Sequence, residues 1–148
     1  MADSTWDMLR TTSLGLMLLT AAWSDLVTRR IPNRCVAWGS LAALAWALSP
    51  AGAGLTLPLL GGLVAALVFL ALHALGWMGA GDVKLAGACG LYFTPAQALS
   101  LCLTIFMAGG LLSLAWRWRA RHGLKEQMPY GIAIALGASW HAWHQAGF

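Results

Sequence analysis

The chain of 148 residues carries five acidic side chains, and two of them stand where an acid is expensive. Asp25 follows the uncharged run Thr11 to Ser24, in "TAAWSDLVTRRIPN". Asp82 lies in "GWMGAGDVKL", between the uncharged runs Cys35 to Gly81 and Leu85 to Trp116, broken only by Val83 and Lys84. A carboxylate in an apolar span costs about 2.5–3.5 kcal/mol at the centre and less near an end, which makes it a functional-site candidate. Two such groups within a few ångströms cannot both ionise easily, so they share one proton. The ionised acid then takes a proton from water while the protonated one hydrogen-bonds a scissile carbonyl. This is general acid–base hydrolysis, and it needs neither a metal nor a nucleophilic side chain.

Gly79 and Gly81 flank Ala80 and remove side chains beside Asp82, so a substrate backbone can come close. G-x-G-D alone is common by chance. Each acid also has a plain structural reading. Asp25 and Arg29 stand i,i+4, the spacing of an ordinary helix ion pair. Asp82 can serve as a cap or first-turn acid of a helix, with Lys84 beside it.

The elements that must position these acids are read from composition. Hydrophobic residues make up 59% of the chain and charged residues 9%, against roughly a quarter charged in an average soluble domain. A bilayer span needs only about 20 apolar residues. We therefore expect an all-α integral membrane protein, a single membrane domain over residues 1–148. The expected bundle has six transmembrane helices, at about 11–28, 35–49, 57–77, 80–93, 95–116 and 130–147, divided by "SPAGAGLTLP" and Thr94-Pro95. The fourth is the shortest and crosses only if Ala80 to Lys84 lie partly in the membrane.

The positive-inside rule orients the bundle. With both termini periplasmic, the loops Arg29 to Arg34, Asp82 to Lys84 and Arg117 to Lys125 face the cytoplasm, and Arg10 alone of the nine Lys and Arg lies outside. Asp25, ending helix one, and Asp82, opening helix four, then sit at one depth. The opening "MADSTWDMLRTT" puts Asp3 and Asp7 before the first apolar segment, unlike a secretory signal, so that segment is expected to remain as a helix. The net charge of +4 is explained by this topology, with no nucleic-acid partner implied.

Trp6, Trp46, Trp77, Trp116 and Trp118 fall near span ends, where aromatic belts form. Gly61 with Ala65, Gly62 with Ala66, and Ala86 with Gly90 are small pairs that let membrane helices pack closely. Cys35, Cys89 and Cys102 lack zinc-ligand spacing and read as small buried hydrophobes. His73, in mid-span, is expected to hydrogen-bond a neighbouring helix. His141 and His144 share a face without a visible third ligand, so no metal is expected. "RWRARHGLKEQ" (Arg117 to Gln127) suits anionic headgroups, making membrane lipids a partner.

The motifs together resemble a known family. "GAGDVK" (Gly79 to Lys84) is similar to the G-x-G-D-x-K signature of bacterial prepilin peptidases, the membrane aspartyl proteases also called type IV leader peptidases. "DLVTRRIPN" (Asp25 to Asn33) resembles that family's first-aspartate segment, and "MPYGIAIALGA" (Met128 to Ala138) its P-[FY]-G opening of the last span. The resemblance implies an aspartic endopeptidase of the bacterial inner membrane, without a cofactor. It would cut the basic leader from type IV pilin precursors after a glycine, at the cytoplasmic face. Asp25 and Asp82 match the catalytic pair, with Gly79, Gly81 and Lys84 as supporting positions. Arg29 stands in the basic turn, and Pro32, Asn33, Pro129, Tyr130 and Gly131 are expected to be structural. Larger members carry paired cysteines in a cytoplasmic domain and also N-methylate the product. Lacking both the pairs and a long first loop, this chain resembles the short form associated with Flp (tight-adherence) pili, which implies cleavage without methylation.

The helix dipole favours an anion at Asp82, on a helix N-terminus, over Asp25, near a C-terminus. We therefore expect Asp82 ionised and Asp25 protonated, with Arg29, Arg30 and Lys84 able to reverse the order and the pair titrating as a unit. Three rivals are weighed. A non-catalytic membrane subunit or scaffold would use the acids in a structural ion pair. A proton-coupled carrier wants its acids near the midplane instead. Presenilin-type proteases share G-x-G-D but need several more spans.

Overall fold

A computed structural model describes residues 2–52, 54–120 and 130–145. The described residues form six helices, α1 (Ala2–Thr28), α2 (Asn33–Ala47), α3 (Thr56–Ala74), α4 (Ala80–Gly90), α5 (Pro95–Ala120) and α6 (Tyr130–Gln145), and no strand. Local chemistry explains where each begins and ends. Pro32 is held extended and starts α2. Pro95 occupies the first position of α5, where its missing N–H costs nothing. There Gln97 Oε1 accepts the Thr94 N–H at 3.0 Å and the Gln97 N–H points back to Thr94 Oγ1 at 3.4 Å. This is a capping box written in "TPAQ".

Helix α3 stops at Ala74 rather than running to about 77, because Gly76 takes a left-handed φ of 77°. The Gly76 N–H reaches the His73 carbonyl at 2.9 Å and the Trp77 N–H that of Leu72 at 3.1 Å. These two bonds make a Schellman cap, which favours glycine at its turning residue. At the other end of the chain, α1 begins at Ala2 rather than at about 11. The helix therefore continues through the polar segment that holds Asp7 and Arg10.

Helix α4 is shorter than expected, closing at Gly90 instead of about 93. Its 11 residues rise about 16 Å, roughly half of a hydrocarbon core. A short helix enclosed by other helices must find partners for its end groups inside the protein. Helix α4 is enclosed by α2, α3, α5 and α6, with Leu85, Ala86, Ala88, Cys89 and Gly90 buried. Beyond its end, the Arg10 guanidinium donates to the Tyr92 carbonyl and stacks 4.3 Å from the centre of the Trp46 ring. Arg10 is thus fastened just beyond the end of α4, where a helix C-terminus favours a cation. Tyr92, 1% exposed, donates its hydroxyl to the Gly39 carbonyl at 2.8 Å, which ties this turn to α2.

Helices α3 and α4 meet through the predicted small residues. A Cβ on Gly90 would lie 2.6 Å from the Gly61 carbonyl oxygen and 2.8 Å from the Ala65 methyl, and one on Gly87 would lie 3.2 Å from that of Ala66. Backbones this close leave no room for larger side chains. The outward faces carry Leu19, Trp23, Trp38, Leu63, Met107 and Leu111, each more than half exposed. So much exposed apolar surface suits lipid rather than water. Helices α3 and α5 (Pro95–Trp118) are long and apolar enough to cross a bilayer.

Several smaller expectations change in detail. His73 Nδ1 donates to the Met78 carbonyl at 2.7 Å, within its own α3–α4 connection rather than on another helix. Cys89 and Cys102 are buried, whereas Cys35 is half-buried with its Sγ 2.8 Å from Thr20 Oγ1. His141 lies edge-on to Phe93 at 4.9 Å, and His144 packs on Trp140 at 4.8 Å. The basic residues expected to contact headgroups fall partly at 121–129, outside the described residues.

Replacing Gly61 by valine forces a branched side chain against the α4 backbone, which cannot yield as a flexible side chain would. The expected result is a loss of about 2 kcal/mol or more in stability, read as a lower unfolding midpoint in detergent. Gly110→Ala on α5, where an added Cβ meets nothing within 4 Å, should raise the midpoint slightly, by about the 1 kcal/mol that alanine gains over glycine in a helix.

Candidate active site

Asp25 belongs to the last turn of α1, and the way that helix ends places it. Its own carbonyl accepts the Arg29 N–H at 3.1 Å, closing α1 with Arg29 in the left-handed conformation at φ 55°. Glycine is the usual residue for such a cap, and a side chain there costs roughly 1 kcal/mol. The turn is fastened by Ser24 Oγ, which donates to the Arg30 carbonyl at 2.9 Å, and by Thr28 Oγ1, which donates to the same oxygen at 3.2 Å. Ile31 and Pro32 then fold the chain back into α2.

Asp82 is positioned by the opposite kind of helix end. Gly79 is the N-cap of α4, and the Asp82 carboxylate reaches back to accept the Gly79 N–H at 3.1 Å. The connection leading there is shaped by the Gly76 cap and by His73, which holds the Met78 carbonyl. The two acids come together. Asp25, Arg29, Arg30, Ile31, Asn33, Gly79, Gly81, Asp82 and Lys84 line one cleft of about 310 Å³. Asp25 and Asp82 are close enough in it for their charges to act on each other.

Asp25 is 8% exposed, and its Oδ2 accepts the Gly131 N–H at 2.8 Å. A buried carboxylate demands a partner of this kind. Gly131 lies in the first turn of α6, so Asp25 stands at a helix N-terminus as well as near the end of its own helix. The contrast in helix fields that distinguished the two acids in the sequence is thereby offset. Tyr130, beside Gly131, is within electrostatic reach of Asp82. Lys84 Nζ donates to Asn33 Oδ1 at 3.2 Å, joining the start of α4 to the start of α2.

Most of the singled-out residues thus gather at one end of the bundle. Pro32 does so by opening α2, while Pro129 lies outside the described residues. Three residues have roles here that the sequence reading did not assign to them. Ile31 packs over Gly81, at 3.5 Å from where its Cβ would be. His73 holds the connection before the G-x-G-D segment, and Gly131 touches a carboxylate instead of merely shaping a turn. For Gly131 a signal existed, since a glycine in the first turn of a helix begs a reason. For His73 nothing in the spacing pointed to Met78.

The glycines of the cleft divide into two kinds. A Cβ on Gly131 would fall 2.8 Å from Asp25 Oδ2, so the chain itself excludes one. Gly79 has an ordinary extended backbone, φ −77° and ψ 152°, and its added Cβ would come no nearer than 3.3 Å to Asp82 Oδ2. Gly81 is not imposed by packing, whereas a side chain at Gly79 would press on the Asp82 carboxylate that this residue's own N–H holds. Their vacant volume opens onto the two acids.

Among the described residues no three of His, Cys, Asp and Glu gather into a metal-ligating group. Comparison with curated proteins and with solved structures returns no match. A family model does match, over residues 12–114, from the start of the apolar part of α1 through most of α5. That stretch is well over half of the chain and contains Asp25 and Asp82 with the cleft between them. The chain belongs to the type IV leader peptidase family.

Proposed function

We propose that the chain is a prepilin leader peptidase whose catalytic pair is Asp25 and Asp82. The observation that carries this reading is the shared cleft of the two acids, one from the end of α1 and the other from the start of α4. Six helices cross the bacterial inner membrane as one domain, with both termini periplasmic and this cleft at the cytoplasmic face. The short α4 crosses together with the turn that follows it, which Arg10 completes from the outer side. The substrates are type IV pilin precursors of the Flp class, cut after a glycine. The four residues 29–32 that join α1 to α2 leave no room there for the cysteine-paired domain of larger members, in keeping with cleavage without N-methylation.

The chemistry follows from the pair. The ionised aspartate removes a proton from water as its oxygen adds to the scissile carbonyl. The protonated aspartate donates to the carbonyl oxygen, which becomes a hydroxyl in the tetrahedral intermediate. Collapse re-forms the carbonyl, returns that proton to the second aspartate and breaks the C–N bond, while the first aspartate hands its proton to the leaving amine. The pair regains its starting protonation. Gly79 and Gly81 provide the room through which an extended peptide backbone approaches Asp82.

Co-expression with an Flp-type precursor tests the assignment directly. Asp25→Asn and Asp82→Asn should each lower leader removal by about 10²–10⁴-fold, the usual contribution of a positioned acid or base, with membrane levels unchanged. Mutants that assemble poorly yet still process the precursor would favour the scaffold reading. Mass spectrometry of the cleaved product should find an unmethylated N-terminus, and methylation by this chain alone would refute the short-form assignment. Gly81→Ala should hold or slightly raise the unfolding midpoint and Gly79→Ala, at the N-cap, lower it by no more than about 1 kcal/mol, while both slow cleavage about 10- to 100-fold. Full activity in both would remove the substrate-approach role from these glycines.

A further inference from the structure

We propose that Gly131 is the positioning residue of Asp25: its backbone N–H fixes one carboxylate oxygen, and its missing Cβ is what admits that oxygen. The inference rests on the reading of Asp25 and Asp82 as a catalytic pair and adds to it the group that aims one member. The contact is short and buried, with Gly131 N at 2.8 Å from Asp25 Oδ2. A Cβ at position 131 would stand 2.8 Å from that oxygen, 3.0 Å from Asp25 Cβ and 3.1 Å from Cγ. Rotating the carboxylate would relieve only the first of these. Any side chain at 131 must therefore separate α1 from α6.

The amide is held from behind by α5. A Cβ on Gly109 would lie 2.8 Å from Tyr130 Cζ, so the Tyr130 ring fills the space that this glycine vacates. One α6 turn and more away, a Cβ on Gly137 would lie 2.6 Å from Ile105 Cα. These two close approaches set the height of α6 along α5, and with it the position of the Gly131 N–H. The aim of Asp25 is thus determined by a helix that does not contribute to the cleft.

The hydrogen bond also divides the labour between the carboxylate oxygens. A backbone N–H donates and cannot accept, so the oxygen that it holds is occupied as an acceptor. Asp25 Oδ2 is held by Gly131 and Asp82 Oδ2 by Gly79 at 3.1 Å. A donor on an oxygen disfavours its protonation, so the proton that the pair shares is favoured on Oδ1 of each acid.

The test compares wild type, Gly131→Ala, and a chain with an ester in place of the Gly131 amide, all made in lipid nanodiscs. The ester removes the donor without adding a Cβ. Both changes should lower kcat for a pilin precursor by about 10²-fold and alter KM by less than about threefold, the pattern of lost alignment rather than lost binding. In a parallel measurement that needs no activity, carbodiimide labelling of Asp25, followed by mass spectrometry, should be several-fold faster in the ester chain. Wild-type kcat in the ester chain, a loss confined to KM, or unchanged labelling would each overturn the proposal. Should Gly131→Ala fail to fold, the ester chain decides. If even wild type leaves every precursor intact, the peptidase reading fails, and the labelling rates still decide whether Gly131 aims Asp25.

Discussion

The hydrogen bond from the Gly131 amide to the Asp25 carboxylate spans 106 positions of sequence and joins the first helix to the last. The rest of the site depends on it because of a simple constraint. An acid buried among apolar helices must be met by a donor, and in a chain of few polar side chains the ready donors are the free N–H groups of helix N-termini. Asp82 uses the start of its own helix, and Asp25 borrows the start of another. Both carboxylates therefore have an amide partner that leaves their chemistry intact, since an amide neither takes nor gives up the proton. Bringing both acids to one cleft requires α1, α4 and α6 to bring their ends to the same level.

That requirement explains the uneven helix lengths. Helix α4 has only 11 residues: it begins at Ala80, which puts Asp82 in its first turn, and it closes at Gly90 to turn into α5. A helix ending short of the surface carries unsatisfied carbonyls into an apolar region. The turn beyond Gly90 answers much of this, with the Leu91, Tyr92 and Phe93 N–H groups donating to the Gly87, Cys89 and Gly90 carbonyls. Arg10 then donates to the Tyr92 carbonyl, and the Tyr92 hydroxyl donates to that of Gly39 on α2. The small residues of α3 and α4 do the complementary work, letting the short helix lie against a full-length one with backbone nearly touching backbone.

The sequence makes the helices legible because their signals are local. Uncharged runs mark the apolar cores, "SPAGAGLTLP" divides α2 from α3 and Thr94-Pro95 marks the start of α5, while the stop at Gly76 was read through. Asp25 and Asp82 were legible as well, for acids in such runs stand out against their cost. The rest depends on contacts between distant segments, which periodicity cannot encode. The extension of α1 to Ala2 could not be foreseen from hydropathy, because Asp7 and Arg10 look like the flank of a span. The partner of Arg10 lies more than eighty residues away, and that of Asp25 farther still. The protonation order read from helix dipoles considered only the helix to which each acid belongs, and so missed the field of α6 on Asp25.

The glycines show how such distant constraints can be separated from functional ones. Gly76 is fixed by its left-handed backbone, Gly61 and Gly90 by the α3–α4 contact, and Gly131 by the Asp25 carboxylate. Each has a reason inside the chain. Gly81 has none, for Ile31 leaves ordinary van der Waals room over it, and Gly79, with a backbone that any residue adopts, has only the approach to Asp82 Oδ2. Within α4, Gly81 carries an entropic cost of about 0.5–1 kcal/mol relative to alanine with no internal contact to offset it, whereas Gly79 stands at the N-cap, where glycine is preferred to alanine. What offsets the cost at Gly81 must come from outside the folded chain, and the two vacancies face the cleft where a second backbone has to come within reach of Asp82.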